Sequence, residues 1–183
     1  NGEEGEEAEM NRRVFVKYDF ISGPILNMAN VNHFSDIVIA RRDDGLESYE
    51  ADAILTQDDN VLVATTFADC PPVLLFHPEE RVVGVVHCSY KTVLNEDILH
   101  KTFMRSAILG AKAEEYLVVI GPGICRHCYE VREDVLESYL GYEKHLYRED
   151  GKIFADLKAI ISQKMVECRV LSKNIFDVDK CTC

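Results

Sequence analysis

Two adjacent apolar segments separated by a short polar turn constrain the fold of this chain more than any other feature. Residues 73–76 and 81–86 are rich in Val, Leu and Phe, and the four residues between them are His77-Pro78-Glu79-Glu80. Apolar runs of this length, bounded by proline and charged residues, are typical of β-strands joined by a tight turn. The sequence therefore predicts a β-hairpin.

The register of this hairpin indicates a metal site. If the turn is centred between Pro78 and Glu79, Cys70 lies opposite His87. Cβ atoms of directly opposed residues are roughly 4.5–5.5 Å apart, so the two side chains could bind one ion. A thiolate and an imidazole suit Zn²⁺ or copper better than Mg²⁺ or Ca²⁺. The register depends on the two prolines after Cys70, which cannot donate to the ladder, and a single bulge would shift it.

Further strand-like and helix-like segments complete the predicted fold. Strands are predicted at 14–20, 36–40, 61–66, 116–120 and 174–178, and helices with one apolar face at 95–109, 132–140 and 155–168. Strands dominate the first half of the chain, and helices enter in the second half. This order is typical of an α+β fold in which mixed β-sheets pack with helices in a single domain.

Length and composition fit one globular domain preceded by an acidic tail. The chain has 183 residues, of which 47% are hydrophobic. That is enough for one sizeable core and too short to argue for two domains. Five glutamates among the first ten residues predict a solvated tail over residues 1–10, which leaves residues 11–183 for a metal-binding catalytic domain.

Charge and cysteine content restrict the classes of binding partner and the cellular compartment that we expect for this protein. A formal net charge of −12 and a pI near 4.9 weigh against nucleic acids and anionic membranes, which require clustered positive charge. No apolar run approaches the ~18 residues that span a bilayer. The chain has seven cysteines, an odd number, and several of them lie in or beside predicted buried elements, which is typical of reduced thiols. We therefore expect a soluble, cytoplasmic protein.

A third candidate ligand, His33, precedes the predicted strand at 36–40. A lone histidine near a strand is more often structural than a ligand, and a lone cysteine behaves as a small hydrophobe. Cys70 and His87, however, both end predicted strands, where side chains open onto clefts. Three protein ligands leave the fourth position of a tetrahedral zinc ion open, which is typical of a catalytic site, and an activated water can occupy that position.

Several short motifs occur in order from about residue 31 onwards. They are Val31-Asn32-His33-Phe34-Ser35-Asp36, Ala51-Asp52-Ala53-Ile54-Leu55-Thr56, Phe67-Ala68-Asp69-Cys70-Pro71-Pro72, Val85-Val86-His87, Gly121-Pro122-Gly123-Ile124, Cys128-Tyr129-Glu130-Val131, Asp156-Leu157 and Cys181-Thr182. Together they resemble the motifs of the laccase-domain, or multicopper polyphenol oxidase-like, family, whose members are now described as purine nucleoside phosphorylases. Each motif is short, but the ordered set is specific.

The resemblance implies a function and a set of metal ligands. His33, Cys70 and His87 match the zinc ligands of the family, at the cleft where purine nucleosides bind. The family's activities include phosphorolysis of adenosine, inosine and methylthioadenosine with phosphate, and deamination of adenosine. The preferred reaction, and whether a homodimer completes the cleft, stay open.

The loop after His87 departs from the family pattern. The family has Gly-Trp-Lys/Arg-Gly shortly after this histidine, whereas here Cys88-Ser89-Tyr90-Lys91-Thr92 follows, without either glycine. The backbone of the loop must therefore differ. Two arginine-bearing segments of the family have no counterpart, so Arg12, Lys91 and Arg126 are candidate substitutes for phosphate binding. The predicted substrate-binding set is Tyr90, Lys91, Arg126 and His127.

Two other catalytic interpretations remain open. Cys70 and His87 could be a thiolate–imidazolium pair that performs nucleophilic hydrolysis, with Asp69 or another acid orienting the imidazole. A copper polyphenol oxidase would need several copper centres, and the six histidines of the chain are few for that role.

A non-catalytic interpretation rests on the remaining cysteines. Cys125-x-x-Cys128 and Cys181-x-Cys183 could form a structural Cys₄ zinc site in a binding module. Because C-x-C is a poor zinc knuckle, the sequence favours free thiols or one oxidised pair at these positions.

Overall fold

The structure is a computed structural model that describes residues 25–45 and 47–183. These residues form one α+β domain. Mixed sheets pack with a few helices, which confirms the predicted fold class. The predicted tail over residues 1–10, the candidate Arg12 and the predicted strand at 14–20 lie outside the described residues. Within the described part, no helix is both long enough and apolar enough to cross a bilayer.

The described residues contain twelve β-strands, which form three sheets, and two α-helices. Short 3₁₀ helices, a π-helical turn and loops connect them. The strands are β1 (Ile25–Asn30), β2 (Ile37–Ile39), β3 (Ser48–Glu50), β4 (Ala53–Thr56), β5 (Val61–Thr65), β6 (Pro72–His77), β7 (Val82–His87), β8 (Leu117–Ile120), β9 (Glu130–Val131), β10 (Leu146–Glu149), β11 (Lys152–Ala155) and β12 (Ile175–Asp177). The helices are α1 (Ile98–Ser106) and α2 (Leu157–Glu167).

The largest sheet has six strands in the order β12-β8-β6-β7-β4-β2. Its central strands β8, β6, β7 and β4 are antiparallel, whereas the outer pairs β12–β8 and β4–β2 are parallel. Two three-stranded sheets, β3-β1-β5 and β10-β11-β9, complete the domain. The first of these is parallel and the second antiparallel.

The predicted hairpin is confirmed as β6–β7, but its predicted register is wrong. Pro72, not Cys70, lies opposite His87, so the turn is centred one residue later than expected. The cause is Arg81, which was counted as part of the second strand. Arg81 has a φ of +57° and belongs to the turn, and β7 begins at the next residue.

The central sheet separates two cores of different size. Large apolar side chains on one face, such as Leu55 and Val86, pack against α1 and α2 in the main core. Each such side chain contributes about 1.5–3 kcal/mol when it is fully buried. On the other face, Ile54 and Val85 pack against Ala29 of β1. The small residues of this second core bring the β3-β1-β5 sheet, and the loop that follows β1, close to the ends of β4 and β7.

Two of the three predicted helices are α-helices. The prediction at 95–109 corresponds to α1 followed by a 3₁₀ turn, and the prediction at 155–168 corresponds to α2. Asp156 caps α2, because its carboxylate accepts a hydrogen bond from the N–H of Ala159 at 3.0 Å. The prediction at 132–140 is wrong in type, since Glu133–Tyr139 is a 3₁₀ helix.

Candidate metal centre

Three chain segments converge at one end of the central sheet. His87 is the last residue of β7, Asp52 immediately precedes β4, and His33 lies in the loop between β1 and β2. Because Ala53 is paired with Val86, Asp52 is the next residue opposite His87. The N–H of His87 donates to the carbonyl oxygen of Asp52 at 2.8 Å. Potential ligand atoms of His33, Asp52 and His87 all lie within 4.8 Å of one another.

Asp52 is completely buried, and the surrounding chain supplies its carboxylate with three hydrogen-bonding partners. Oδ1 lies 3.2 Å from Nδ1 of His87 and accepts the N–H of His33 at 3.2 Å, while Oδ2 accepts the N–H of Ser35 at 2.9 Å. His33 and Ser35 both have left-handed backbone conformations, with φ of +61° and +62°. Such turns aim successive N–H groups at one anion, which compensates for the burial of the charge.

The hydrogen bond to Asp52 determines which nitrogen of His87 can bind a metal. When Nδ1–H donates to the carboxylate, Nε2 keeps its lone pair free. Burial lowers the pKa of His87, and this effect outweighs the opposing hydrogen bond and charge of Asp52. His87 is therefore neutral near pH 7, the form that binds metals. The His33 ring lies 5.0 Å from the His87 ring, measured between centroids, at an interplanar angle of 70°.

Cys70 lies two residues before the start of β6 and is a half-buried free thiol. It is not one of the three residues whose ligand atoms cluster within 4.8 Å. Burial raises the pKa of the Cys70 thiol, and the charges of Asp69 and Asp52 raise it further. Cys70 is thus within electrostatic range of the buried carboxylate, and its role as third ligand stays a prediction.

Asp69 does not occupy the place beside the His87 imidazole. Its carboxylate accepts a hydrogen bond from the hydroxyl of Thr182 at 2.8 Å, and its carbonyl accepts the N–H of Ile124 at the same distance. The carboxylate at Nδ1 of His87 is that of Asp52. The predicted catalytic role of Asp69 stays a prediction.

Tyr90 and Lys91 lie within the altered loop after His87. Lys91 is exposed and starts a π-helical turn, Lys91–Asn95, where the family has glycines. The turn is held by Thr92, whose N–H donates to the hydroxyl of Ser89 at 3.2 Å and whose own hydroxyl accepts the N–H of Ser89 at 3.0 Å. Tyr90 is half-buried and stacks on Tyr139 with ring centroids 6.4 Å apart. The structure thus gives this loop an ordered backbone without glycine.

Arg126 and His127 are exposed and line a cleft of about 630 Å³. Lys158 and Cys181 also line it, whereas His33 and His87 do not. The guanidinium of Arg126 lies 5.2 Å from the centroid of the Tyr147 ring. The structure therefore does not place Arg126 and His127 in the cluster that contains the two histidines, and their role in substrate binding stays a prediction.

All seven cysteines lie in the described residues, and none of them forms a disulfide there. Cys125, Cys128 and Cys181 nevertheless come together, with their sulfur atoms within 4.8 Å of one another. The sequence favoured free thiols or one oxidised pair at these positions, and the structure has free thiols, three of which lie together.

Asp52 is the site residue that sequence reasoning missed. All of its neighbours in the segment 51–55 are apolar, and a charged side chain in such a segment is costly unless it has partners. That isolated charge was the available signal, but its partner could be identified only from the pairing of β4 with β7.

The whole chain, residues 1–183, matches the family model described as multi-copper polyphenol oxidoreductase laccase. The chain belongs to this family. A purine nucleoside phosphorylase of Deinococcus radiodurans is 36% identical over 60% of the chain and 44% of its own length. Adenosine deaminase RL5, from an unknown prokaryotic organism, is 25% identical over 72% of the chain and 52% of its own length. The chain thus spans about half the length of these curated relatives.

Solved structures share the fold of this chain. The YfiH protein of Bacillus licheniformis superposes with a TM-score of 0.82 over 97% of this chain and 72% of its own. The sequences of the two proteins are 22% identical, so the likeness establishes the fold alone.

Proposed function

We propose that this laccase-family chain is a metal-dependent enzyme that cleaves purine nucleosides with phosphate. The observation that carries the proposal is the cluster of His33 and His87 around the buried carboxylate of Asp52. The name of the Deinococcus relative supports the substrate class. Free thiols are typical of cytoplasmic proteins, so they agree with a cytoplasmic location.

The donor atoms fit a zinc ion held by His33, Cys70 and His87, with copper as the alternative. Two imidazoles and one thiolate match the ligands that Zn²⁺ prefers and leave one tetrahedral position open. Asp52 already has three hydrogen-bonding partners, so it suits the role of orienting His87 better than that of a ligand. A bound Zn²⁺ would supply Lewis acidity to the purine or to a water.

Phosphorolysis also requires that the chain hold phosphate beside C1′ of the ribose. An oxygen of phosphate forms a bond to C1′ while the bond from C1′ to N9 breaks, and the purine leaves with the bonding electrons and takes up a proton. The chain carries 32 acidic and 20 basic residues, so phosphate capture needs local cations. We assign this role to Lys91 and Arg126, base stacking to Tyr90, and a further cleft contact to His127.

Deamination is the second candidate, favoured by the relative named adenosine deaminase RL5. In that reaction the oxygen of water replaces the amino group at C6 of adenosine, and ammonia leaves. The same histidine pair would serve, and the two reactions differ in their products and in their need for phosphate.

Two further interpretations fit the geometry less well. A thiolate nucleophile needs a lowered pKa, whereas burial raises the pKa of Cys70. A multi-copper centre needs many histidines, but among the described residues only His33 and His87 join a ligand cluster.

The test is chromatography of zinc-loaded protein incubated with adenosine, with and without phosphate. We expect adenine and ribose 1-phosphate only with phosphate, and a loss of more than about 100-fold in His87→Ala and Cys70→Ala, because ligands matter more than the residues that orient them. His100→Ala, an exposed histidine of α1, is the matched control.

Each outcome of this experiment has a defined meaning. Inosine formed without phosphate would replace phosphorolysis by deamination. No product from zinc-loaded protein, or a Cys70→Ala variant that keeps both metal and activity, would contradict the proposal.

A further inference from the structure

A second group of potential metal ligands lies outside the histidine cluster. Cys125 and Cys128 bracket a tight turn in which the N–H groups of Cys128 and Tyr129 donate to the carbonyl of Cys125 at 3.0 and 2.9 Å. The turn places both thiols on one side, and the sulfur of Cys181 joins them within 4.8 Å. Three thiols from two distant parts of the sequence are therefore gathered without a disulfide.

The backbone around Cys181 is arranged to stabilise negative charge on its sulfur. The N–H of Cys125 donates to Sγ of Cys181 at 3.2 Å, and the N–H of Cys183 donates to the same atom at 3.4 Å. Hydrogen bonds from N–H groups to sulfur favour a thiolate over a thiol. Cys183 lies beside this group, since its N–H contacts the sulfur of Cys181.

We propose that Cys125, Cys128 and Cys181 bind a Zn²⁺ ion, with Cys183 as the fourth ligand. Soft thiolate ligands select Zn²⁺ over Mg²⁺ and Ca²⁺. Four sulfur ligands leave no open position, so the site is structural and not catalytic. Each thiol releases its proton when it ligates the ion. This site is separate from the cluster around His87 and does not depend on the activity proposed for that cluster.

The position of the site explains what the ion would stabilise. The loop that contains Cys125 is hydrogen-bonded to the segment that contains Cys181, through the N–H of Gly123 and the carbonyl of Lys180 at 3.1 Å. Both segments also contact Asp69, as Ile124 donates to its carbonyl and Thr182 to its carboxylate. An ion shared by these segments holds them around Asp69, the residue that precedes Cys70.

Metal stoichiometry provides the first test. The reduced full chain is loaded with Zn²⁺, desalted, and analysed for zinc per chain beside Cys125→Ser/Cys128→Ser. We expect the double variant to bind one zinc fewer, whatever the occupancy at His87. Cys168→Ser, a half-buried cysteine at the C-terminal end of α2, is the matched control and should bind the same amount as the parent chain. Equal zinc in the parent chain and a folded double variant would overturn the proposal.

The second test uses the unmodified chain, because the double variant could fail to fold. Reduced protein is treated with a thiol-alkylating reagent with and without Zn²⁺, and labelling is assigned to each cysteine by peptide mass spectrometry. We expect Zn²⁺ to protect Cys125, Cys128, Cys181 and Cys183 at least tenfold, and to leave Cys168 unchanged. Equal labelling with and without Zn²⁺, or a disulfide among these cysteines in protein isolated with its thiols trapped, would overturn the proposal.

Discussion

The carboxylate of Asp52 links the backbone of one histidine to the side chain of another. It accepts the N–H of His33 and Ser35 and contacts Nδ1 of His87, and it is completely buried. Removing one partner from such a group leaves buried donors unpaired, at a cost of about 1–3 kcal/mol. Asp52 is therefore a positioning residue that affects both the stability of the loop and the availability of Nε2 on His87.

We predict that Asp52→Asn weakens zinc binding about 10–100-fold and destabilises the fold by about 1–3 kcal/mol. The amide keeps the shape of the side chain, but its NH₂ group cannot accept the hydrogen bond that Oδ2 receives from Ser35, or, if the amide is rotated, those that Oδ1 receives. Zinc affinity is measured by competition with a chromophoric chelator, and stability by urea unfolding.

The control for this substitution is Asp59→Asn, at an exposed aspartate that pairs with Arg81 on the surface. Surface pairs of this kind contribute little, so neither zinc affinity nor the urea midpoint should change measurably. If Asp52→Asn bound zinc as tightly as Asp59→Asn, the orienting role of Asp52 would be wrong.

Residue types could be predicted from the sequence better than residue neighbours. The sequence identified His33 and His87, and the structure brings these two together. It placed Cys70 opposite His87 because the turn was taken to end before Arg81, whose positive φ no composition rule revealed. It missed Asp52 because the partner of a buried charge lies on a strand 35 residues away.

Among elements, the central hairpin was predictable from its apolar pattern, whereas six of the twelve described strands were not predicted. β6 and β7 are continuous apolar runs, so the sequence pattern identifies them directly, although Leu74 and Phe76 of β6 are exposed. The sequence missed β1, β3, β4, β9, β10 and β11. β3 has only three residues and β9 only two, and each is defined by its pairing with a neighbouring strand. The 3₁₀ helix Glu133–Tyr139 has an α-like apolar spacing, but seven residues are too few for that spacing to determine the helix type.

The approach of the Gly121-Pro122-Gly123 loop to β6 leads to a prediction at this scale. A Cβ on Gly123 would lie 2.5 Å from Cγ and 2.9 Å from Cα of Pro71, the residue that follows Cys70. Since the second atom is backbone, the segment itself must move. We predict that Gly123→Ala destabilises the chain by about 1–3 kcal/mol and weakens zinc binding at the histidine cluster. Urea unfolding and zinc competition measure the two effects.

Gly151→Asn serves as the comparison for Gly123→Ala. Gly151 has a φ of +75°, which asparagine tolerates, and no atom lies within 4 Å of the added Cβ. The larger side chain should therefore cost less than about 1 kcal/mol, within the range of ordinary surface substitutions. A Gly123→Ala variant as stable as Gly151→Asn would show that the loop has room beside Pro71.

Across the whole molecule, the excess of negative charge destabilises the fold, whereas local ion pairs stabilise it. With 32 acidic and 20 basic residues, the formal net charge is −12, which destabilises the compact state through self-repulsion. Several exposed pairs, including those of Lys101 with Glu96 and of Lys152 with Glu130, act in the opposite direction. Exposed pairs contribute little individually, so we expect the net repulsion to outweigh them.

We therefore predict that added salt stabilises this chain. Between roughly 0.01 M and 0.15 M NaCl the screening length falls from about 30 Å to about 8 Å, so repulsion between distant acidic groups is removed while contacts at hydrogen-bonding distance persist in part. The urea midpoint, measured with a chelator present, should rise over this range and then level off. KCl should give the same curve, because screening depends on ionic strength and not on the identity of the cation.

Lys152→Gln removes one positive charge and one ion pair, so its midpoint should depend on salt more steeply than that of the parent chain. A midpoint that falls as salt is added would instead mean that the ion pairs outweigh the net repulsion.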